Sequence, residues 1–320
     1  MDNYLKVIKI LKENQDKFIS GEKIAKMCGI SRVGVYKIIK KLISEGYEIK
    51  KNKKLGYKLL FSAFSPEDIL KKNLSIVSKI YHFKKTSSTM DVAKKILDET
   101  PNIENVLIIA DIQTSGKGRL QRKWFSPKGG LYFSLILKPQ ISPNIVFNLN
   151  YLFSLSIAEV LRENYNISAT TKWPNDVVVE DKKISGILIE IDTEIDKLNW
   201  CIVGVGVNLN INKEFFIKNK LQATSVLELT NKKVDINEFL SKLLEKIDLY
   251  YKDFIKNEYK QIIEKWSKIS STLGREVEII TLTTKIKGKA IKLQQDTGAL
   301  LVETPSGIKE VLSGDCVHLR

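Results

Sequence analysis

The amino-acid sequence predicts an α+β protein in three parts: a winged helix-turn-helix over residues 1–64, a central domain on a mixed sheet over 65–272, and a small β-barrel over 273–320. Three observations carry this expectation. Positive charge and helical periodicity concentrate in the first 60 residues. The middle strings strand-like runs together with few intervening helices, which favours an α+β sheet over a doubly wound one. From about Gly274 the chain turns to short strands between turns.

The chain has 320 residues, 43% of them hydrophobic, enough for a sizeable core, and a formal charge of +15. Residues 1–60 hold 15 Lys and Arg against 6 Asp and Glu, leaving 37 against 31 in the remaining 260. This is the footprint of a nucleic-acid-binding module, although a lysine-rich proteome would give the same count. The pattern within the segment decides. Leu5, Ile8 and Leu11 make an apolar stripe at helical spacing, residues 21–27 read as a second short helix, and Gly29 supplies a turn. Ser31 is a natural N-cap for a third helix, in which Val35, Ile38, Ile39 and Leu42 share one face. Arg32, Val33, Tyr36, Lys37 and Lys40 fall away from that face and can meet a major groove. Two strands, 47–50 and 56–59, flank a basic turn in which Lys53 and Lys54 are placed for phosphates. Ser31 and these seven side chains are the candidate DNA contacts; a protein-interaction bundle with a solvated basic face is the competing reading.

Residues 61–66 break this pattern, and Pro66 suits the first turn of a new helix. Beyond it, strand-like runs cover 106–112, 131–137, 177–180, 184–191 and 200–207, and helical runs cover 88–97, 147–163 and 237–266. Ser88 and Asp91 have the spacing of a capping box. The barrel strands fall at 276–281, 285–293, 300–304, 309–312 and 317–319.

Several function classes are excluded. Uninterrupted apolar stretches are far shorter than the about 20 residues of a bilayer span. Lys9 and Lys12 interrupt the first apolar segment, which argues against a secretory signal and for the cytoplasm. Cys28, Cys201 and Cys316 lie far apart, so a disulfide framework is not expected. Only His82 and His318 are present, which excludes a His-rich zinc site, and His82 reads as part of a strand.

Chemistry concentrates in three places. Between two strands lies Gln113-Thr114-Ser115-Gly116-Lys117-Gly118-Arg119-Leu120-Gln121-Arg122-Lys123-Trp124. Its glycines let the backbone wrap a ligand while Lys117, Arg119 and Arg122 supply charge suited to phosphates, yet a mobile basic loop has the same composition. Lys172-Trp173-Pro174-Asn175-Asp176 joins two strands and explains itself as a hairpin turn. Lys183 directly precedes an apolar strand, where a cation is held at the edge of a pocket. Residues 204–208 end a strand with glycines that admit a ligand, although a bulge is the plainer reading.

In this order the motifs resemble the bifunctional biotin protein ligase and biotin-operon repressor family. The resemblance rests on Ser88-Thr89, Gln113 with the G-x-G-R loop through Trp124, Lys172 to Asp176, Lys183-Ile184-Ser185-Gly186 and Gly204 to Asn208, and it covers all three parts. It implies a central domain of the biotin/lipoate ligase type and an SH3-like barrel. The implied reaction activates biotin with ATP and Mg²⁺ to biotinyl-5′-AMP, then passes biotin to a lysine of a biotin carboxyl carrier domain. By the same resemblance, Ser88, Thr89 and Gln113 hold the ureido ring, with Gly116 and Gly186 beside biotin. Arg119 and Lys183 are the catalytic pair, set between the biotin carboxylate and the α-phosphate. Lys117, Gly118, Arg122, Trp124, Lys172 and Asn175 serve the nucleotide, Asn208 lies near adenine, and Asn175 and Asp176 organise the metal. Operator DNA, a homodimer favoured by ligand, and biotinyl-5′-AMP as corepressor complete the expectation. Lys117 stands where a second arginine is common, and Leu120-Gln121 where Arg-Gly is common, so loop closure is where a difference is expected. A lipoate ligase and a non-catalytic biotin-sensing repressor are the alternatives. The Lys172–Asp176 motif and the N-terminal module favour biotin over lipoate, and the presence of both Arg119 and Lys183 speaks against a mere sensor.

Overall fold

Asp2, Ser20 and Ser31 each place a side-chain oxygen on an orphan backbone N–H, and each starts a helix: α1 (Asn3–Glu13), α2 (Gly21–Cys28) and α3 (Arg32–Glu45). Gly29 and Gly46 end α2 and α3 in the left-handed conformation. Val7, Ile24, Val35, Ile39 and Leu42 are fully buried between the helices, each worth about 1.5–3 kcal/mol. Ile38, expected with them, is only partly buried. β1 (Glu48–Asn52) and β2 (Gly56–Phe61) form the antiparallel wing. Asn52 Oδ1 shapes its turn by accepting the N–H groups of Lys54 and Leu55 at 2.9 and 3.0 Å. Ile19 and Tyr57 exchange two backbone bonds of 2.9 Å, and a Cβ on Gly56 would stand 2.2 Å from the Ile19 carbonyl oxygen.

The computed structural model describes residues 2–15, 17–61, 64–195, 197–256, 258–281 and 283–319. It divides into two units, Met1–Ser65 and Pro66–Arg320. Residues 62 and 63, which the sequence reading puts in the linker, lie outside the described residues.

The second unit opens with α4 (Pro66–Leu70), β3 (Lys79–Phe83), α5 (Thr89–Glu99), β4 (Val106–Ala110), β5 (Leu131–Leu137) and α6 (Leu149–Tyr165). β6 (Thr170–Lys172), β7 (Asp176–Val179), β8 (Lys182–Glu194) and β9 (Lys197–Val207) complete a mixed sheet of order β3-β4-β5-β9-β8-β7-β6. Only β3 and β4 run parallel, joined by α5 as a crossover, and every other pair is antiparallel. All residues of β4 and β5 are buried, so these strands read as continuous apolar runs rather than alternating ones. α5 lays Met90, Ala93 and Leu97 on Val106, Ile108, Ile136 and Ile202.

Short helices α7 (Lys213–Lys218) and α8 (Val226–Thr230) precede α9 (Ile236–Ile255) and α10 (Tyr259–Lys268). Here the structure corrects the sequence reading, which made 237–266 one helix. No Gly or Pro marks the break; Asp253 O accepts the N–H groups of both Lys256 and Glu258, and Tyr259 turns back onto Phe254. The expected capping box also differs: Ser88 Oγ accepts from the Met90 N–H at 3.2 Å, while Asp91 pairs with Lys117. Pro143–Tyr165 is, by length and composition alone, apolar enough to cross a membrane. It is 72% buried, packed on the sheet and on α9 and α10. Its Ser154 and Ser156 hide in the run by bonding the carbonyls of Asn150 and Leu152.

The chain ends in an antiparallel sheet of β10 (Glu276–Ile280), β11 (Lys285–Leu293), β12 (Leu300–Thr304), β13 (Gly307–Val311) and β14 (Asp315–His318), in the order β13-β12-β11-β10-β14. The last two strands start two residues earlier than expected. All three cysteines are free thiols.

Candidate active site

A cavity of about 480 Å³ opens where the basic loop, the β6–β7 turn, the ends of β8 and β9, and strand β14 converge. That size suits a small-molecule ligand. Part of its wall is a side chain seated on backbone. Gly186 and Gly206 face each other across β8 and β9, and a Cβ on Gly206 would stand 2.4 Å from the Trp124 indole. The glycines therefore exist to let Trp124 lie against the sheet. The ladder runs in register through residues 204–207, so the bulge expected there is absent. It occurs instead between β7 and β8, where Val177 pairs with Ser185 and Val178 with Lys183, leaving Ile184 extra. A bulge re-aims neighbouring side chains, here Lys183.

The basic loop is built rather than free. Gly118 N–H donates to Arg122 O at 2.7 Å and Trp124 N–H to Gly116 O at 2.9 Å, folding residues 116–124 into a hairpin. Leu120 and Gln121 turn its tip with φ of 52° and 60°. Gln121 thus adopts the backbone that glycine would take freely, at a cost of about 1–3 kcal/mol. Three of the four loop cations reach different parts of the fold: Lys117 pairs with Asp91 on α5, Arg122 with Asp315 on β14, and Arg119 Nη1 donates to Asn175 Oδ1 at 3.2 Å.

Asn175 and Asp176 gather the two central cations. Lys183 Nζ stands 2.6 Å from Asp176 Oδ1, an ion pair by distance that is not aligned as a hydrogen bond, and 5.3 Å from the centre of the Trp124 ring. Asn175 is 7% exposed; its Nδ2 donates to Ile187 O at 2.5 Å. Burial pushes the Arg119 guanidinium down from its ordinary value, while Asp315 and Asp176 hold it up. Consecutive residues of one turn thus fix a guanidinium and an ammonium at one mouth of the cavity.

A second cluster lines the cavity at the start of α5. Gln113 Oε1 accepts from the Thr89 N–H at 2.8 Å and from Thr89 Oγ1 at 3.2 Å, and its Nε2 donates to Ser126 Oγ at 2.9 Å. Ser134 Oγ donates to Thr89 Oγ1 at 2.8 Å. Ser88 and Thr89 are 1% and 2% exposed. Lys172 and Asn208 also line the cavity, Asn208 with Nδ2 3.4 Å from Lys183 O. Gly116 does not; a Cβ there would meet Trp124 O at 2.5 Å, so it shapes the loop from behind.

Family models match residues 4–58 as an HTH domain, 82–208 as the biotin/lipoate A/B protein ligase family and 272–319 as the biotin protein ligase C terminal domain. The bifunctional ligase/repressor BirA of Bacillus subtilis (strain 168) is 33% identical over 316 residues, 97% of this chain and 96% of that relative. The chain belongs to the bifunctional biotin ligase/repressor family. The Escherichia coli (strain K12) member, also a bifunctional ligase/repressor BirA, is 27% identical over 99% of this chain and 97% of its own. Among solved structures, the biotin protein ligase from Aquifex aeolicus in complex with biotin and ATP matches with a TM-score of 0.64 at 35% identity, covering 76% of this chain and 99% of that one.

For a biotin ligase/repressor, the sequence reading named many of the polar residues of the cavity wall but missed what β14 brings. Asp315, Cys316 and Val317 line the cavity, and Asp315 holds Arg122. Burial pushes the Cys316 thiol up to about 11, so it stays protonated at neutral pH. Phe215 and Phe216 of α7 form another missed wall. Their only sequence signal is a Phe pair. In the first unit, Arg32, Val33, Tyr36, Lys37 and Lys40 are all exposed, as are Lys53 and Lys54 at the wing turn. Lys51 Nζ lies 5.5 Å from the Tyr36 ring centre, which joins wing to helix, and Ser31 Oγ is spent on the Gly34 N–H at 3.0 Å.

Proposed function

We propose that this family member forms biotinyl-5′-AMP from biotin and ATP, transfers biotin to a lysine of a biotin carboxyl carrier domain, and represses transcription in response to biotin. The observation that carries the reading is the pair of cations on one turn, Arg119 through Asn175 and Lys183 through Asp176. Adenylation brings two anions together: a biotin carboxylate oxygen bonds the α-phosphorus as pyrophosphate leaves. Fixed cations at that point stabilise the charge that builds there. Arg119 stays protonated throughout, and Lys183 exchanges Asp176 for the reacting oxygens. The carrier lysine's amine then attacks the acyl carbon, and AMP leaves.

The ring end follows from the same wall. Burying a ureido group is costly unless its polar atoms are met, and Ser88, Thr89 and Gln113 form a cluster already held by Ser126 and Ser134. Gly186, on the same wall, lets the Lys183 side chain and Trp124 pack closely beside the ligand. On the nucleotide side stand Lys117, Gly118, Arg122, Lys172 and Asn208. Among the described residues no three His, Cys, Asp or Glu side chains gather to hold a metal. Asn175 has both ends of its amide committed, which leaves Asp176 as the carboxylate for a Mg²⁺ carried mainly by the triphosphate. That ion would shield the phosphate charge. The exposed face of α3 and the wing supply the DNA contact, the adenylate is the corepressor that favours a homodimer, and the cytoplasm is the site of action.

Incubation with ATP and either biotin or lipoate, followed by mass analysis of the acyl-adenylate, tests the reading. Biotinyl-AMP alone is expected. Lipoyl-AMP would make the chain a lipoate ligase, and no adenylate from either acid would leave a non-catalytic sensor.

A further inference from the structure

Trp173 is 1% exposed, and both of its N–H groups reach residues outside its own hairpin. The backbone N–H donates to Thr272 Oγ1 at 3.0 Å, and the indole Nε1–H to the Tyr151 hydroxyl at 3.1 Å. Each acceptor is itself tied to the C-terminal sheet. The Tyr151 hydroxyl donates to Gly298 O at 2.5 Å, in the turn between β11 and β12. Thr272 Oγ1 lies 3.1 Å from His318 Nε2 at the end of β14. On its far side, His318 Nδ1 lies 3.3 Å from Arg275 Nη1 and 3.6 Å from Asp181 Oδ1. Thr272 is fully buried, and its Oγ1 accepts from Trp173 on one side and bonds His318 on the other. Two residues beyond Trp173, Asn175 accepts the bond from Arg119.

We propose that Thr272 and Tyr151 are positioning residues of the adenylating site: they lock Trp173 to the C-terminal sheet, so that the Asn175 amide holds Arg119 at the reacting centre. The proposal rests on the role given to Arg119 above. An arginine side chain has several rotatable bonds, and its bond to Asn175 aims it only as well as the turn is held. A misplacement of about 1 Å at a reacting centre costs roughly 10²-fold in rate, whereas the same bonds serving stability alone would leave the rate of folded protein unchanged.

Biotin-dependent ATP–pyrophosphate exchange by the full chain, with the melting temperature recorded for each variant, tests this as a double-mutant cycle. Thr272→Val is expected to lower kcat about 10–100-fold with KM for biotin within about threefold. Thr272→Ser, which keeps the acceptor, should return to within about threefold of wild type. In an Arg119→Ala background, Thr272→Val should cost less than about twofold, because the side chain it positions is gone. If Thr272→Val does not fold, Tyr151→Phe carries the same cycle. Losses that multiply fully in the double variant, or a lowered melting temperature with unchanged kcat, overturn the proposal while leaving the role of Arg119 standing. Full exchange by Arg119→Ala overturns both.

Discussion

Lys183 stands between the Asp176 carboxylate and the Trp124 ring, and it reaches that place because the Ile184 bulge turns it there. Lys183→Ala removes a cation aimed at reacting oxygens and leaves Asp176 without it. By analogy with the loss of an oxyanion donor, pyrophosphate exchange should fall about 10²–10³-fold with the fold intact. Near wild-type exchange would make Lys183 an ordinary surface lysine. The site residues were legible mainly through the family resemblance: taken locally, the basic loop reads equally as a mobile loop and Lys172–Asp176 as a hairpin turn, and only Lys183 at a strand start pointed to a pocket. Their partners were not. Arg122 and Asp315 are 193 positions apart, and a single Asp between two short strands has no local signature. The glycines of β8 and β9 were visible, but their purpose was not, since it depends on Trp124 arriving from another loop.

At the scale of elements, a buried carboxylate ties α9 to the segment before β3. Asp248 Oδ1 accepts from Ser75 Oγ at 2.6 Å and the Ile76 N–H at 3.1 Å, and Oδ2 lies 2.7 Å from Lys252 Nζ. Burial pushes this carboxyl up, but Lys252, Ser75 and Ile76 together draw it below its ordinary value of 3.8. Its contribution is therefore present above the unfolded-state pKa and is lost as pH falls through the lower folded value. Asp248→Asn should cost about 1.5–3 kcal/mol in urea unfolding at pH 7. The gap should hold to pH 5, begin to narrow near pH 4 and go on narrowing as pH falls toward the lower folded value; a gap at pH 3 as large as at pH 7 would mean the charge is not what matters. The first unit makes a separate prediction. Deleting residues 1–62 should abolish DNA binding and keep a substantial rate of carrier biotinylation. Loss of both activities would show that this unit supports the ligase site, and loss of neither would put the DNA contact elsewhere. The second helix of this unit and the start of the third were legible to within a residue or two because Gly29 ends one and Ser31 caps the next. The break between α9 and α10 was not, because no helix breaker marks it and the turn is closed by backbone bonds to Asp253 O and the packing of Phe254 on Tyr259.

For the whole molecule, the proposed function joins two activities in one chain, with the adenylate proposed to form in the cavity also proposed as the signal read at DNA. One winged helix meets a single half-site, which rarely gives specific affinity, whereas a symmetric pair reads two half-sites. The adenylate need only prefer the dimer-competent form, and about 1.4 kcal/mol of preference is a tenfold shift. The basic loop is the natural link, because three of its cations already reach separate parts of the fold and an anion in the cavity would compete for them. Sedimentation at several protein concentrations, with and without biotin plus ATP and with duplex operator DNA present or absent, measures this coupling directly. A ligand-dependent shift toward the dimer and a tighter DNA complex at the same protein concentration are expected. An association state and a DNA affinity that both ignore the ligand would contradict this coupling, and would leave the N-terminal unit a constitutive DNA binder attached to a ligase.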